Sequence, residues 1–253
     1  MSSLPQKPND ASTPKPSLAW SAGNSSYEDG RYLEKNPSWH VEESPFKVRQ
    51  IVRMLKKRRL QPKTVGDVGC GVGAVLSELQ AYLPADCTCW GYDVSPQAIR
   101  LASAHGNDRL HFCVQDVRRD RCDTFFDLIL VLDVFEHVED YMGLVRDIRP
   151  MGDLKLFHIP LDLSVQAVIR RNGLLRRRDD FAHLHYFTKE TALRTLTDVG
   201  YQLVDYFFTP RCIELGERLV QKMARGPRKL CFGLAPDLTV RILGGYSLLA
   251  LAR

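Results

Sequence analysis

The stretch that decides the fold of this chain is Thr64-Val-Gly-Asp-Val-Gly-Cys-Gly-Val-Gly-Ala74. Its first half is apolar around a single acid, Asp67, which predicts a buried strand. The second half is a loop in which alternate positions are glycine, namely Gly69, Gly71 and Gly73. Glycine permits a positive φ and lets the backbone approach a ligand closely, and the helix that follows offers free N–H groups. The stretch therefore predicts a binding site for a nucleotide-like ligand.

Two classes of ligand use this kind of loop. Gly69, Gly71 and Ala74 satisfy the relaxed fingerprint G-x-G-x-x-G/A of dinucleotide sites. A carboxylate at Asp67 would, however, repel the pyrophosphate of a dinucleotide. S-adenosylmethionine carries no phosphate, and its cationic amino and sulfonium groups favour a nearby carboxylate. Asp67 therefore favours S-adenosylmethionine over NAD.

Two further acids follow predicted strands. Asp93 ends the segment 89–93, about 20 residues past the glycine loop, where ribose-binding acids lie in such folds. Asp116 follows the apolar run 110–114 and could accept the adenine amino group. Either acid alone is more often a turn residue or a helix cap, but acids at successive strand ends favour a cofactor site. The neighbouring residues that we expect to line this site are Cys70, Val94, Gln115, Val117 and Leu132.

Strands and helices are predicted to alternate along the chain. The predicted strands are 64–68, 87–93, 109–114, 126–132 and 153–159, and the predicted helices are 72–82, 96–104 and 139–148. A further helix begins after Thr188 and ends near Gly200, and the strands 201–208 and 246–251 follow. Such alternation is typical of a doubly wound, parallel α/β sheet.

Several motifs together resemble the class I S-adenosylmethionine-dependent methyltransferases, over roughly residues 65–206 and the last strand. They are Val65-Gly-Asp-Val-Gly-Cys-Gly-Val-Gly73, Gly91-Tyr-Asp-Val-Ser-Pro96, Val114-Gln-Asp116 and Phe126-Asp-Leu-Ile-Leu-Val-Leu-Asp-Val-Phe-Glu-His-Val138. The resemblance implies a Rossmann-like, seven-stranded sheet whose last strand is antiparallel. Asp-x-x-Glu-His at 133–137 and His185-Tyr-Phe-Thr-Lys-Glu190 look like the branch that includes ubiquinone-pathway O-methyltransferases.

The resemblance implies a small-molecule methyltransferase in a biosynthetic pathway, with oxygen the first choice of acceptor atom, then nitrogen, then carbon. An alternative is a cofactor-binding subunit that stimulates a partner without turnover of its own. Methyl transfer is an in-line displacement that positioning alone accelerates, but a base helps when the acceptor is a hydroxyl. His137 is the first candidate for that base, and His183 and His185 are its rivals. A purely local role of His137 in its loop is the other interpretation.

A metal site is the alternative reading of the same region. Asp133, Glu136 and His137 could share one helical face, and a later histidine would complete a ligand set, as in small-RNA 2′-O-methyltransferases, which this arrangement resembles. The same letters occur in this branch without metal, so we expect none.

Composition bounds the organisation of the chain. With 253 residues and 44% hydrophobic residues, one catalytic domain is expected over residues 28–253, after a disordered tail at 1–27. We expect an N-terminal cap at 28–60, a substrate lid at 160–187 and a helical insertion at 209–244. The apolar runs are shorter than the roughly 20 residues of a membrane span, and the N-terminus lacks a secretory pattern. Seven cysteines without a C-x-x-C pair favour the reducing cytoplasm.

Three surface features leave alternatives open. Trp39 and His40 either anchor the first helix or close over the cofactor. The arginines between 170 and 178 are either a solvated face or a contact for an anionic or carrier-bound substrate; nucleic acid is disfavoured because no aromatic residues interleave with them. The basic helical insertion is a homodimer surface, a membrane-surface contact or ordinary core packing.

Overall fold

The structure is a computed structural model that describes residues 38–39, 41–120, 124–215 and 219–253. A seven-stranded sheet with the order β3-β2-β1-β4-β5-β7-β6 forms its centre. The strands are β1 (Thr64–Val68), β2 (Thr88–Asp93), β3 (Leu110–Val114), β4 (Phe126–Leu132), β5 (Gly152–Pro160), β6 (Leu203–Thr209) and β7 (Ser247–Ala252).

Strands β1 to β5 pair in parallel, whereas β7 runs antiparallel to both of its neighbours. Ala250 of β7, for example, lies opposite Phe157 of β5 on one side and Tyr206 of β6 on the other. The predicted Rossmann-like fold with an antiparallel last strand is therefore confirmed. The chain between β6 and β7 contains helices, so this hairpin is split as the sequence indicated.

The helices are α1 (Ser44–Arg58), α2 (Ala74–Leu79), α3 (Pro96–Ala102), α4 (Tyr141–Ile148), α5 (Val165–Ile169), α6 (Gly173–Phe181), α7 (Lys189–Asp198), α8 (Arg211–Glu214), α9 (Leu219–Leu234) and α10 (Pro236–Ile242). A 3-10 turn at Val41–Glu43 precedes α1, and another at Phe135–His137 follows β4. As predicted, the Thr188 side chain caps α7 by accepting a hydrogen bond from the Thr191 N–H.

Two predicted helix starts differ from the structure. Helix α2 begins at Ala74 rather than at 72, because the glycine loop keeps a positive φ of 74° as far as Gly73. Helix α4 begins at Tyr141 rather than at 139, because the Asp140 side chain accepts a hydrogen bond from the Gly143 N–H and so fixes the first turn. One shift is set by backbone conformation and the other by a side-chain cap, and apolar periodicity reports neither.

The two faces of the sheet are covered by separate apolar clusters. In β4, Ile129 and Val131 belong to one cluster, and Leu128 and Leu130 belong to the other. This alternation explains why β4 reads as a continuous apolar run. The carboxyl ends of the parallel strands meet at one edge, where the glycine loop begins. Within the described ranges, no helix is both long and apolar enough to span a membrane.

Candidate functional site

A cavity of about 250 Å³ lies at the carboxyl ends of the parallel strands. The glycine loop, the residues after β2, β3 and β4, helix α1 and the segment 160–183 surround it. Ligands of open α/β sheets bind at this edge, where the strand order reverses between β1 and β4. The cavity is therefore the candidate site.

The glycine loop wraps the inner end of this cavity with backbone in the left-handed region. Gly69 has a φ of 77°, and a Cβ at this position would lie 2.6 Å from Cγ2 of Val134. Gly71 has a φ of 55° and lines the cavity beside Trp39. Gly73, also predicted to bind the cofactor, lies behind the cavity, where a Cβ would meet the Phe112 ring at 2.5 Å. Packing against Phe112 therefore requires a residue without a side chain at Gly73.

Asp93 connects the end of β2 to the glycine loop. Its carboxylate accepts hydrogen bonds from the backbone N–H of Gly71 at 2.8 Å and of Ser95 at 2.9 Å. Burial raises the pKa of Asp93, although these N–H donors oppose the rise. The carboxylate lines the cavity, where its remaining lone pairs can accept from ribose hydroxyls.

Asp67 lies at the floor of the cavity and is 2% exposed. Its Oδ1 has no hydrogen-bond partner among the residues that the structure describes. Burial, with a smaller contribution from Asp93 and against the opposing charge of Lys47, raises the pKa of Asp67 to about 8. A buried carboxyl oxygen without a partner fits a cationic amino group, which S-adenosylmethionine has and NAD lacks at this point.

The remaining predicted cofactor residues fall into two groups. Cys70, Val94, Gln115, Asp116, Val117, Leu132 and Trp39 line the cavity. His40 lies outside the described residues. The carboxylate of Asp116 already accepts from the Arg118 N–H at 3.0 Å and pairs with Arg119 at 3.4 Å. The proposed hydrogen bond from the adenine amino group to Asp116 would therefore come in addition to these contacts with Arg118 and Arg119.

The three candidate histidines have different surroundings. His137 and His183 line the cavity, with ring centroids 4.8 Å apart. Nδ1 of His183 bonds Oδ2 of Asp162 at 2.5 Å, and Nδ1 of His137 lies 3.3 Å from the Ala182 carbonyl. Nε2 of His185, in contrast, is 3.0 Å from the Val138 carbonyl, and His185 is absent from the residues that line the cavity. The structure therefore separates His185 from the other two.

Glu136 brings a buried acid beside these imidazoles. It is 1% exposed, and neither of its carboxyl oxygens has a hydrogen-bond partner in the described part of the chain. One ligand atom from each of Glu136, His137 and His183 lies within 4.8 Å of the others. A carboxylate and two imidazole nitrogens form a donor set suited to a divalent transition metal, and Asp162 would orient His183 from behind.

Asp133, the first residue of the metal reading, lies apart from this set. Its Oδ1 bonds Nδ1 of His158 at 2.5 Å, and its Oδ2 pairs with Nζ of Lys47 at 2.7 Å. Burial raises the pKa of Asp133, but the charges of His158 and Lys47 outweigh this effect and hold the pKa well below its usual value. Asp133 therefore lines the cavity and ties α1 to β5. The helical-face arrangement predicted for it does not form, because 135–137 is a 3-10 turn.

Sequence reasoning missed how the charged residues of the cavity wall pair with one another. Arg211 of α8 forms a two-pronged ion pair with Glu43, and Arg177 of α6 lies 3.3 Å from Asp162. Lys47 on α1, which the sequence analysis did not single out, also lines the cavity and pairs with Asp133. Each pair joins segments far apart in the chain, and no local pattern indicates such a pair.

Comparisons with known proteins agree with this geometry. The sequence profile described as a methyltransferase domain matches residues 40–206. The mitochondrial ubiquinone biosynthesis O-methyltransferase of Schizosaccharomyces pombe is 36% identical over 116 residues, which cover 42% of this chain and 41% of that protein. The ubiquinone biosynthesis O-methyltransferase of Idiomarina loihiensis is 29% identical over 152 residues, or 54% of this chain and 60% of that protein. The matched segments thus span two fifths to three fifths of these relatives.

Among solved structures, the N-methyltransferase NodS of Bradyrhizobium japonicum in complex with S-adenosylhomocysteine is similar, with a TM-score of 0.57. It is 19% identical, and the match covers 88% of this chain and 96% of NodS. At this identity the likeness shows the fold.

The sheet order and a cavity floored by Asp67 define the class I S-adenosylmethionine-dependent methyltransferases, whose cofactor this site fits. The profile covers well over half of the described chain. The chain belongs to the methyltransferase domain family.

Proposed function

We propose that the chain transfers a methyl group from S-adenosylmethionine to a hydroxyl oxygen of a small molecule in a biosynthetic pathway. The observation that carries this proposal is the cluster of His137 and His183 on the cavity wall with the buried Glu136 beside them, since a hydroxyl must lose its proton and these groups can take or direct it. The bound cofactor would supply an electrophilic methyl group. Nitrogen or carbon acceptors, and a partner subunit without turnover, are the alternatives.

The residues of the chain would act mainly by binding and positioning. Asp67 would hold the amino group of the cofactor, and Asp93 would fix the ribose and the glycine loop together. Val94, Gln115 and Val117 would enclose the adenine, with Asp116 beside its amino group. Trp39 would cover the open side of the glycine loop, where it lies 3.4 Å from a Cβ built on Gly71. Such enclosure excludes water from the reacting atoms.

The acceptor proton has two possible destinations in this cavity. His137 could act as the base, but burial, with help from His183, lowers the pKa of His137 to about 3, which makes the free imidazole a weak base. A divalent cation held by Glu136, His137 and His183 is the second candidate, because it would give the buried Glu136 carboxyl group a partner and lower the pKa of a bound hydroxyl. This departs from our sequence-based expectation of no metal.

The charge of the acceptor is also open to proposal. Arg118, Arg177 and Arg211 line the cavity, but each is already paired with a carboxylate, at Asp140, Asp162 and Glu43. We therefore propose a neutral acceptor inside the cavity rather than the anionic one that the arginines suggested.

The described cysteines are free thiols, which supports a reducing compartment such as the cytoplasm.

The test is turnover of methyl-labelled S-adenosylmethionine with matched phenol, catechol and amine acceptors, with products located by mass spectrometry. Oxygen-methylated products are expected. Products methylated on nitrogen or carbon would overturn the choice of oxygen, and cofactor binding without turnover on any acceptor, recovered by adding a partner protein, would favour the subunit reading. Repeating the assay after chelation and readdition of Mg²⁺, Mn²⁺ or Zn²⁺ separates the two routes for the proton.

A further inference from the structure

Helix α9 exposes an apolar stripe to solvent. Met223, Leu230 and Leu234 are 78%, 65% and 79% exposed. They are seven and four residues apart, which places them on one side of a helix with 3.6 residues per turn. The opposite side is anchored to the protein, since Phe232 stacks on Tyr246 with ring centroids 5.2 Å apart. The stripe is therefore an outward face of a docked helix.

Neighbouring helices continue this apolar surface. Arg228 of α9 bonds the Gln166 side chain of α5 at 3.1 Å and the Gly244 carbonyl after α10 at 2.8 Å, so these three helices are adjacent. Val168 and Ile169 of α5 are exposed, as are Leu175 of α6 and Leu238 of α10. Monomeric proteins rarely leave a contiguous apolar surface of this kind without a partner.

Basic residues surround these side chains. The segment 164–181, which holds α5 and α6, contains five arginines and two acids, Asp179 and Asp180. The segment 219–242, which holds α9 and α10, contains five basic residues and one acid, Asp237, which pairs with Lys189. Arg170, Arg171, Arg176 and Arg178 are exposed, and within the described residues none of them pairs with a carboxylate. Some exposed arginines elsewhere do pair, as Arg194 does with Asp198 and Arg49 with Glu214.

We propose that this surface, the basic-apolar face formed by α5, α6, α9 and α10, docks on an anionic lipid bilayer. Apolar side chains flanked by lysine and arginine, with ten basic residues against three acids in the two segments that hold these helices, match the boundary between acyl chains and anionic headgroups. The charge complementarity selects this occupant. A second copy of the chain would bring two positively charged faces together and is disfavoured for that reason.

The basic-apolar face borders the candidate site. Arg177 and Phe181 of α6 line the cavity, and so do Gly245 and Tyr246, which follow α10. Docking would therefore hold the cavity beside the bilayer, where an apolar acceptor could reach it without crossing water. The docking proposal itself does not depend on the reaction proposed above, because it rests on exposure and charge alone.

The test is co-sedimentation of the full chain with vesicles of phosphatidylcholine, alone or with about 30 mol% phosphatidylglycerol. Binding is expected only to the anionic vesicles, and raising the salt from about 0.1 M to about 1 M should weaken it. Leu230→Ser with Leu234→Ser should reduce binding at least about tenfold, since the apolar contact is lost. Arg170→Gln with Arg171→Gln should reduce it by about fivefold per charge.

Leu101→Ser is the matched control, because Leu101 is 48% exposed on α3, away from the basic-apolar face. It should leave vesicle binding unchanged. All variants should keep the affinity of the parent chain for S-adenosylhomocysteine, which shows that they are folded. Equal binding to neutral vesicles, no binding at all, or binding that the four substitutions leave unchanged would overturn the proposal. A concentration-dependent dimer that Leu230→Ser with Leu234→Ser abolishes would assign the face to a second copy instead.

Discussion

The carboxylate of Asp93 accepts a hydrogen bond from the backbone N–H of Gly71, at 2.8 Å, and so joins two segments 22 residues apart. The same carboxyl group accepts from the Ser95 N–H at the start of α3. One side chain therefore fixes the glycine loop, the turn after β2 and the acceptor atoms that would face the ribose. The conformation of the glycine loop and the proposed binding of the ribose therefore depend on the same carboxyl group.

Replacing Asp93 should weaken both cofactor binding and the fold. Asp93→Ala should cost about 1.5 to 3 kcal/mol of binding free energy for S-adenosylhomocysteine, the range for hydrogen bonds to a charged group. It should also lower the free energy of unfolding, because the Gly71 and Ser95 N–H groups lose their acceptor. Calorimetry and urea unfolding measure the two effects. Asp93→Asn, which keeps one acceptor oxygen, should be milder in both; an alanine variant with unchanged affinity would remove Asp93 from the ribose site.

Cofactor binding should release a proton from Asp67. Burial raises the pKa of this carboxyl to about 8, so the free protein carries it mostly protonated at pH 7. Pairing with a cationic amino group requires the ionised form, and affinity should therefore rise with pH up to about 8. Calorimetry at pH 7 in buffers of different ionisation enthalpy should detect the released proton. Asp67→Asn should bind S-adenosylhomocysteine more weakly and release no proton. If the parent chain also releases no proton, Asp67 does not contact the amino group of the cofactor.

Gly69→Ala should destabilise the chain through one identifiable contact. The new Cβ would lie 2.6 Å from Cγ2 of Val134, and alanine would be strained at a φ of 77°. A loss of roughly 1 to 3 kcal/mol in the free energy of unfolding is expected. Adding Val134→Ala removes the clash but not the backbone strain, so the double variant should recover part of the loss. No recovery would mean that backbone strain alone is responsible.

His137→Ala should lower kcat by about 10² to 10⁴ with nearly constant affinity for S-adenosylhomocysteine, whether His137 acts as a base or as a metal ligand. His185→Ala should leave kcat close to that of the parent chain, because His185 lies outside the cavity. With a pKa of about 3, His137 stays neutral at higher pH, so kcat should not fall near pH 6.5 on its account. Near-normal kcat in His137→Ala would leave positioning alone to carry the reaction.

Acid should destabilise the chain through Asp133. The pKa of this carboxyl is well below its usual value in the folded state, because the charges of His158 and Lys47 outweigh burial. The stabilisation is therefore present above the unfolded pKa of about 3.9 and is lost as the pH falls below it. Unfolding free energies measured between pH 6 and pH 3 should show a shallower acid decline in Asp133→Asn than in the parent chain. Parallel declines would contradict the assignment.

The sequence predicted what local patterns encode. Apolar periodicity and the glycine loop indicated the sheet, and the position of Asp67 and Asp93 at strand ends indicated the cofactor side of the cavity. Contacts between distant segments were not predictable in this way. His183 and His185 are two residues apart in an irregular segment, and only the tertiary path shows that one meets Asp162 whereas the other meets the Val138 carbonyl. The Arg211 and Glu43 pair is hidden for the same reason.

Because β7 lies between β5 and β6 in the sheet, β6 cannot join the sheet when it is synthesised. Strand β6 pairs only with β7 in the sheet, yet the chain makes β6 first and three helices before β7 follows. During synthesis, the five parallel strands can associate as they leave the ribosome, whereas β6 must wait with an unpaired edge until Ser247–Ala252 arrives. Truncation within β7 should therefore leave a nascent chain that is vulnerable to proteolysis at β6, even though its first five strands are complete.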